Sequence, residues 1–529
     1  MFSSYYRKCF VQLTVILATL TVFQSNRCFG FVTPLAIRPL TTSIKPSSAH
    51  STSRSVAVTN VDSNDESSST SSFEDSVNPN IVAKNKTSDW LKKGKVKDWK
   101  RALSAAFWIT GCSLGGGFLA LPNLLVSQNI GFGSSTCTLT CVWIFFWCQF
   151  VLLLDCLSTQ DHSLRDLAYS TLGKAGKRLV STLLGLLTFT TLVSQISRAG
   201  SLMKQTQIFF GKNLPYSMTC AIISTIFALP VFFRSDQNKE GGNNNKLNSV
   251  LVSAMMVFAS LVFVNGNPHV PWSQLIAAET SNKSFFSTWF RSLPHALPTL
   301  MQLMVYGEII PTISPLLATN KSDNSNNNDD AVVRRNFAIA FGSFLPLCLL
   351  VGWSALGLAS LPASMSGGGD PVQILLQQTN SPIRIPLLGL SWSAISTTIL
   401  SCYMALNHLY QDSYGKKSKE SSNNSNNRFH RHTIVPALSI VIPACTIAST
   451  SPDIFFKAIS FAGSYPVLWL WGILPPIMAI RQQQKQKKKE WNILQKIRVG
   501  TLLSLSLTMA TMVVIPDLKW LISKLLLLF

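Results

Sequence analysis

The chain has 529 residues, of which 47% are hydrophobic and only 13% charged. A soluble protein carries about 25% charged residues. The apolar residues here come in long blocks rather than at helix or strand period, so the composition excludes an ordinary soluble domain and points to a polytopic membrane protein. The net charge of +22 does not indicate a nucleic-acid partner. The basic residues lie in loops and flanks between apolar blocks, where they orient a chain in a bilayer.

The first predicted element is a leader in two parts. Arg7-Lys8 precede an apolar run from Cys9 to Phe23, and Cys28-Phe29-Gly30 give a small-x-small junction before Phe31, so residues 1–30 have the layout of a signal peptide. Residues 31–61 lack acids, are rich in Ser and Thr, and carry Arg38, Lys45 and Arg54, which is transit-peptide composition. A signal peptide followed by Phe and an acid-free stretch resembles the bipartite plastid-targeting leader of algae with secondary plastids. An ordinary secretory leader, or an uncleaved anchor, is the alternative. Residues 62–101 form a Ser/Asn/Asp-rich and then basic tail, expected to be disordered. The membrane domain then runs over 102–529.

About eleven apolar blocks of bilayer-spanning length follow. They lie near 102–126, 135–157, 179–203, 217–233, 247–264, 297–318, 336–361, 385–410, 433–451, 454–480 and 499–526. With the N-terminal tail on side A, side A loops carry 30 Lys and Arg and side B loops 6. A missed or extra span would scramble that alternation, so the bias supports the count and makes side A the cytoplasm-equivalent face, the stroma in a plastid. The Asn-rich stretches 241–245, 324–328 and 421–427 all fall on side A and read as solvated inserts.

Two spans carry helix breakers at their middles. The first holds Gly111-Cys112-Ser113-Leu114-Gly115-Gly116-Gly117, followed by Pro122. The sixth holds Leu297-Pro298, Val305-Tyr306-Gly307-Glu308, Pro311 and Pro315. Gly weakens helix continuity and Pro removes a donor. Unbonded backbone cannot face lipid, so each break should face a cavity and bind something. Spans one and six open two five-span halves, and interrupted helices at corresponding positions mark the midplane site of an inverted-repeat transporter. Half-helix N-termini there suit a substrate carboxylate, and free carbonyls suit an ammonium or a cation.

Single polar residues add to this. Glu308 is the only acid near the middle of a span, where a charge must be protonated, paired or in a wet cavity; its expected role is proton coupling or a partner for a substrate ammonium. Gln195 in span three and Ser396, Thr397, Thr398 and Ser401 in span eight lie at membrane depth, where hydroxyls bind a substrate or Na⁺, or bond back to their own helix. Asp155, Arg198, His408, Lys457, Asp517, Lys519 and Lys524 lie toward span ends and are expected at the interface. Nine of the eleven cysteines fall in apolar spans without a Cys-x-x-Cys pair, which makes them small hydrophobes rather than a disulfide frame or metal site. There is no His-Glu-x-x-His and no intramembrane Ser–His pair, so an enzyme is not expected. A channel or sensor built on the same frame is the remaining rival to a carrier.

With both breaks in view the chain resembles the tryptophan/tyrosine permease family of aromatic and hydroxy amino acid permeases, within the amino acid–polyamine–cation superfamily, most closely its plastid and cyanobacterial tyrosine-specific members. Gly115 through Pro122 with Gly131-Phe132 matches the family's Gly-rich signature. Tyr169 to Gly173 resembles the loop before span three, and Ser197-Arg198-Ala199-Gly200 that span's small-residue end. Leu297-Pro298 to Pro311 resembles the Pro-bounded aromatic break, Gly342 to Leu347 the span-seven signature, and Phe461-Ala462-Gly463 with Leu474-Pro475-Pro476 span ten.

The resemblance implies an all-α, LeuT-like 5+5 inverted repeat with discontinuous helices 1 and 6. It also implies symport of a neutral, aromatic amino acid, with H⁺ as coupling ion, Na⁺ as the alternative, and no cofactor. Ser113, Leu114, Gly115, Gly116, Gly117, Val305, Tyr306, Gly307, Gln195, Thr398 and Ser401 are then the expected substrate-binding residues, and Glu308 the proton-coupling one. Gly307-Glu308 departs from the His or Asn that many members carry after the aromatic residue, which weakens the inference of aromatic selectivity.

Overall fold

The computed structural model describes residues 99, 101–128, 130–157, 163–206, 214–232, 242–266, 285–317, 328–359, 370–377, 382–418, 435–485 and 493–526. The leader, the transit segment and nearly all of the N-terminal tail lie outside the described residues.

In hydrocarbon every backbone N–H and C=O must be bonded within the segment, so long apolar blocks become helices. In chain order these are α1 (Arg101–Ser113), α2 (Gly116–Ser127), α3 (Phe132–Cys156), α4 (Leu164–Thr206), α5 (Tyr216–Phe232), α6 (Gly242–Gly266), α7 (Phe285–Met304), α8 (Ile310–Leu317), α9 (Asn328–Ala359), α10 (Pro371–Gln377), α11 (Arg384–Ser418), α12 (Val435–Ala448), α13 (Ile454–Lys485) and α14 (Ile493–Leu526). Helices α3, α4, α9, α11, α13 and α14 are each long and apolar enough to cross a membrane. Helices α1 and α2 pass together as one span bent by 43°, and α5, Val250–Gly266 and Ala437–Ala448 are shorter apolar helices. With the interrupted pair α7 and α8, these segments occupy all the predicted spans, and the breaks fall in the first and sixth.

Three elements differ from expectation. Helix α4 begins at Leu164, so Tyr169 to Leu172 are helical rather than a loop, and two helical stretches meet at a kink where Gly173 takes φ 78, ψ −162. Only Gly holds such backbone without strain. Helix α7 begins at Phe285, twelve residues before the expected start, and runs through Pro294 and Pro298. In α13 the segment Gly463–Ile473 is wound as a π-helix, which nothing in its composition signalled. Gly463 lies hard against the Pro298 carbonyl, leaving no room for a Cβ, so the widened turn is locked to α7.

The core is aromatic, and two of its buried indoles are hydrogen-bonded. Trp289, Trp353, Phe145 and Phe146 are buried. Trp353 Nε1 donates to the Phe118 carbonyl at 3.1 Å and Trp289 Nε1 to Thr138 Oγ1 at 2.7 Å. At the C-terminal end of α3, Asp155 meets Arg335 at 2.6 Å and Arg498 at 3.2 Å while staying partly exposed.

Candidate functional site

The first break begins where α1 stops at Ser113. Leu114 and Gly115 are not helical, and α2 opens with a 3₁₀ turn, Gly116–Ala120. The glycines are there because neighbours come too close for side chains. A Cβ on Gly116 would collide with the Gln195 carboxamide oxygen of α4 and meet Ile395 of α11 at 3.0 Å; one on Gly115 would meet Thr398 Oγ1 at 3.2 Å. The Gly116 amide donates to Thr398 Oγ1 at 3.0 Å, and that hydroxyl donates to the Ala394 carbonyl at 2.8 Å. The amides of Gly115 and Gly117 have no hydrogen-bond acceptor among the described residues.

The second break follows Met304. Val305 and Tyr306 leave the helix, Gly307–Ile309 make one 3₁₀ turn, and α8 resumes at Ile310. Gly307 is wedged against Trp471 of α13 and Phe150 of α3, with no space for a Cβ. The first break packs on the helix that leads into the second: a Cβ on Gly117 would lie 3.1 Å from the Leu303 side chain, on the last turn of α7. Beside this junction Gln302 Nε2 donates to Thr191 Oγ1 at 3.3 Å and Gln195 Nε2 to Ser194 Oγ at 3.2 Å. The Oε1 atoms of both glutamines are buried without a partner among the described residues. Unbonded amides and the Gln195 oxygen therefore meet at the first break, and Gln302 reaches Thr191, one turn before Gln195 on α4. Buried polar groups are ordinarily paired, and together these form a site with donors for an anion and acceptors for an ammonium.

Several expected residues are placed otherwise. Ser113 donates its hydroxyl to the Ile109 carbonyl of its own helix at 2.9 Å, so it is not a free donor. Leu114 turns away from the junction into an apolar layer with Met255, Leu350 and Leu390. Tyr306 is buried with its ring 4.5 Å from that of Phe150, and its hydroxyl, though near Ser343, has no hydrogen-bond partner among the described residues. Val305 is half-buried at the break itself. Ser396 and Thr397 are buried, with Thr397 bonded back to the Ser393 carbonyl at 2.7 Å; of the span-eight hydroxyls only Thr398 reaches the first break. Ser401 lies one turn beyond Thr398 and is exposed. Arg198, expected at the interface, is instead buried in an ion pair with Asp370, and its guanidinium lies 5.1 Å from the Phe455 ring. Gln302 and Thr191 were missed, and their signal was available: polar side chains inside apolar spans, one of them on the last helical turn before the break.

The exposed polar side chains near the junction lie on one side of it. Glu308 is surrounded by the protein body yet its side chain is exposed, with Cys112 of α1 and Cys402 of α11 within electrostatic range. Cys112 and Ser401 are exposed as well. Cys112 precedes the break in a span running from side A to side B; Glu308 and Ser401 follow the break or its contact in spans running the other way. All three lie on the side A flank of the breaks. On the side B flank Arg198, Asp370, Phe455 and the inner face of α10 are buried, and α10 packs on α2 and α11.

Interrupted first and sixth helices around a half-open polar junction, in a polytopic helical bundle, define a membrane transporter rather than an enzyme. The chain belongs to the tryptophan/tyrosine permease family, whose model matches residues 99–515. It is 24% identical over 255 residues to a protein of Haemophilus influenzae named tyrosine-specific transport system 1, a match spanning 48% of this chain and 56% of that relative. It thus spans about half the length of that relative. It is 23% identical over 395 residues to glutamine transporter 2 of Aliivibrio fischeri, spanning 74% of this chain and 91% of that one. Among solved structures, the Eremococcus coleocola manganese transporter overlays with a TM-score of 0.44 at 14% identity, covering 78% of this chain and 86% of that one.

Proposed function

We propose that the protein is a secondary carrier of a neutral, preferentially aromatic, amino acid, driven by the proton gradient and working by alternating access. The observation that carries this reading is the meeting, at the first break, of the unbonded Gly115 and Gly117 amides with the Gln195 oxygen, which has no partner among the described residues, and the like oxygen of Gln302 on the helix leading into the second break. The amides, at the N-terminal end of a half-helix, hold the α-carboxylate; the carboxamide oxygens accept from the α-ammonium. Glu308, exposed in the hollow on side A, exchanges the coupling proton with solvent there. The names of the two relatives, one tyrosine-specific and one a glutamine transporter, support an uncharged side chain.

The two-part leader supports delivery to a plastid envelope membrane; the alternative is another endomembrane or the plasma membrane. A fluorescent fusion at the C-terminus decides between them. Substrate is decided by uptake into proteoliposomes of purified protein under an imposed pH gradient, with Tyr, Trp, Phe, Thr, Gln and acidic amino acids as competitors. The expected result is saturable Tyr uptake, displaced by Trp and Phe and not by Glu, with counterflow of labelled Tyr. Absence of counterflow with persisting flux would mean a channel.

A further inference from the structure

A cavity of about 440 Å³ is walled by α2, α7, α13 and α14. Its lining includes Asn123 from α2, His295 from α7, Lys457, Ser460 and Tyr465 from α13, and Asp517 from α14. The cavity is separate from the junction at the breaks. Gly115 to Gly117, Gln195 and Gln302 do not line it. Pro298, which does, has its carbonyl held hard against Gly463, so α7 and α13 leave no passage between them at that level. A concave space of this size with a few polar groups on apolar walls is suited to a small ligand.

The charges select the class of ligand. Lys457 and Asp517 bring one charge of each sign to the same cavity, yet they make no ion pair with each other. Asp517 is held in place by Tyr465, whose hydroxyl donates to Oδ2 at 2.8 Å. A hydroxyl donor leaves the carboxylate its charge and its other oxygen. A plain anion or a plain cation would meet one of the two charges and be repelled by the other; a zwitterion answers both. The spacing agrees. Lys457 and Tyr465 are eight residues apart on α13, about 12 Å along the helix. Helical side chains lean toward the start of their helix, which carries the Tyr465 hydroxyl and its carboxylate partner back toward the level of Lys457, itself on a flexible four-carbon stem. An α-amino acid making contacts of about 3 Å at both its carboxylate and its ammonium spans about 9 Å between the two partners, within that separation.

We propose that this cavity is a second amino acid site, outside the central one, in which Lys457 holds the carboxylate and Asp517 the ammonium. Through Asp517 it gives α14, the last span and one outside the two five-span halves, a part in ligand binding. That the zwitterion is an amino acid rests on the carrier reading given above; the demand for both charges rests on the cavity alone.

The experiment uses the full-length chain in nanodiscs, where both faces meet solvent. Ser460→Cys puts a thiol into the cavity wall, and its modification by a hydrophilic maleimide is read by mass spectrometry of that peptide. L-Phenylalanine slows the modification by roughly fivefold or more, whereas phenethylamine, which lacks the carboxylate, and 3-phenylpropionate, which lacks the ammonium, do not. Protection persists when Gly116→Ala is added to disable the central site. Lys457→Met and Asp517→Asn each raise the half-protecting concentration by roughly tenfold or more. The amide of Asp517→Asn keeps an acceptor for the Tyr465 hydroxyl, and Lys457→Met leaves that bond alone, so either variant can judge the site if the other folds poorly. Protection that is absent, that is lost with Gly116→Ala, or that survives both charge substitutions overturns the proposal. Saturable uptake without protection removes the outer site and leaves the carrier; protection without uptake removes the carrier and leaves a zwitterion site.

Discussion

The two breaks are built from similar residues and do different work. At the first, glycines let polar side chains from two other spans, Gln195 and Thr398, touch the backbone directly. At the second, Gly307 lets scaffold aromatics, Trp471 and Phe150, come just as close, while the next residue carries an exposed carboxylate. The first break is therefore a cradle whose neighbours are ligands; the second is an anchor that holds Glu308 at the edge of solvent. A glycine cluster in a membrane helix is not one kind of signal, and its meaning comes from what packs on it.

The largest expected effect tests that contrast. Gly116→Ala drives a methyl into the Gln195 carboxamide and displaces the amides around it, and a misplacement of about 1 Å in a binding constellation costs on the order of a hundredfold in rate. Uptake should fall to background while thermal stability in detergent stays near wild type, because Gln195 is a flexible side chain that can move aside. Gly307→Ala should do the reverse in kind, destabilising the fold by about 1–3 kcal/mol through overpacking of rigid rings, read as a lower melting temperature. Gly500, where a Cβ meets nothing within 4 Å, is the control: Gly500→Ala should change neither. Equal melting temperatures for the two central variants would erase the distinction between cradle and anchor.

Next in size is Glu308→Gln. The substitution keeps shape and removes the titratable group, so uptake driven by a pH gradient should drop about tenfold or more toward the undriven rate, while tracer exchange at equal pH continues. Gradient-driven uptake at the wild-type rate would leave the second break a structural feature only.

Much of the site was legible because its physics leaves marks in composition. Gly and Pro inside an apolar block, Glu308 at mid-span, and Gln195 and Thr398 in apolar helices are each costly unless used, so each stands out in the sequence. Arg198 was assigned to the interface because its partner, Asp370, is 172 residues away in a connecting segment, and no local pattern announces a pairing at that distance. The burial of Tyr306 was illegible for another reason. Side-chain direction follows from helical period, and at a break there is no period to follow. The π-helical turn of α13 needs no special residue, only one more amino acid than the turn can hold, so it left no trace to read.

Thr398→Val sharpens the account of the cradle at an intermediate level. It keeps volume and removes the acceptor of the Gly116 amide, leaving a buried donor unsatisfied at a cost of about 1–3 kcal/mol. Apparent affinity for substrate should weaken by roughly tenfold, and Thr398→Ser, which keeps the oxygen, should stay within about threefold of wild type. If valine and serine behave alike, the hydroxyl does not organise the break.

The smallest expected effect is at Ser113, the residue whose position beside the glycines makes it look most like a ligand. Its hydroxyl hydrogen is directed at the Ile109 carbonyl, one turn back in α1, an arrangement in which the helix satisfies the side chain rather than the side chain serving a ligand. Removing it frees a carbonyl that is already bonded within its own helix and leaves no donor stranded. Ser113→Ala should therefore change the half-saturation concentration for uptake by less than about twofold, within the scatter of surface-like substitutions. A tenfold loss would mean that the hydroxyl swings from Ile109 to the substrate on binding, and the first break would then present a side-chain ligand of its own in addition to its backbone.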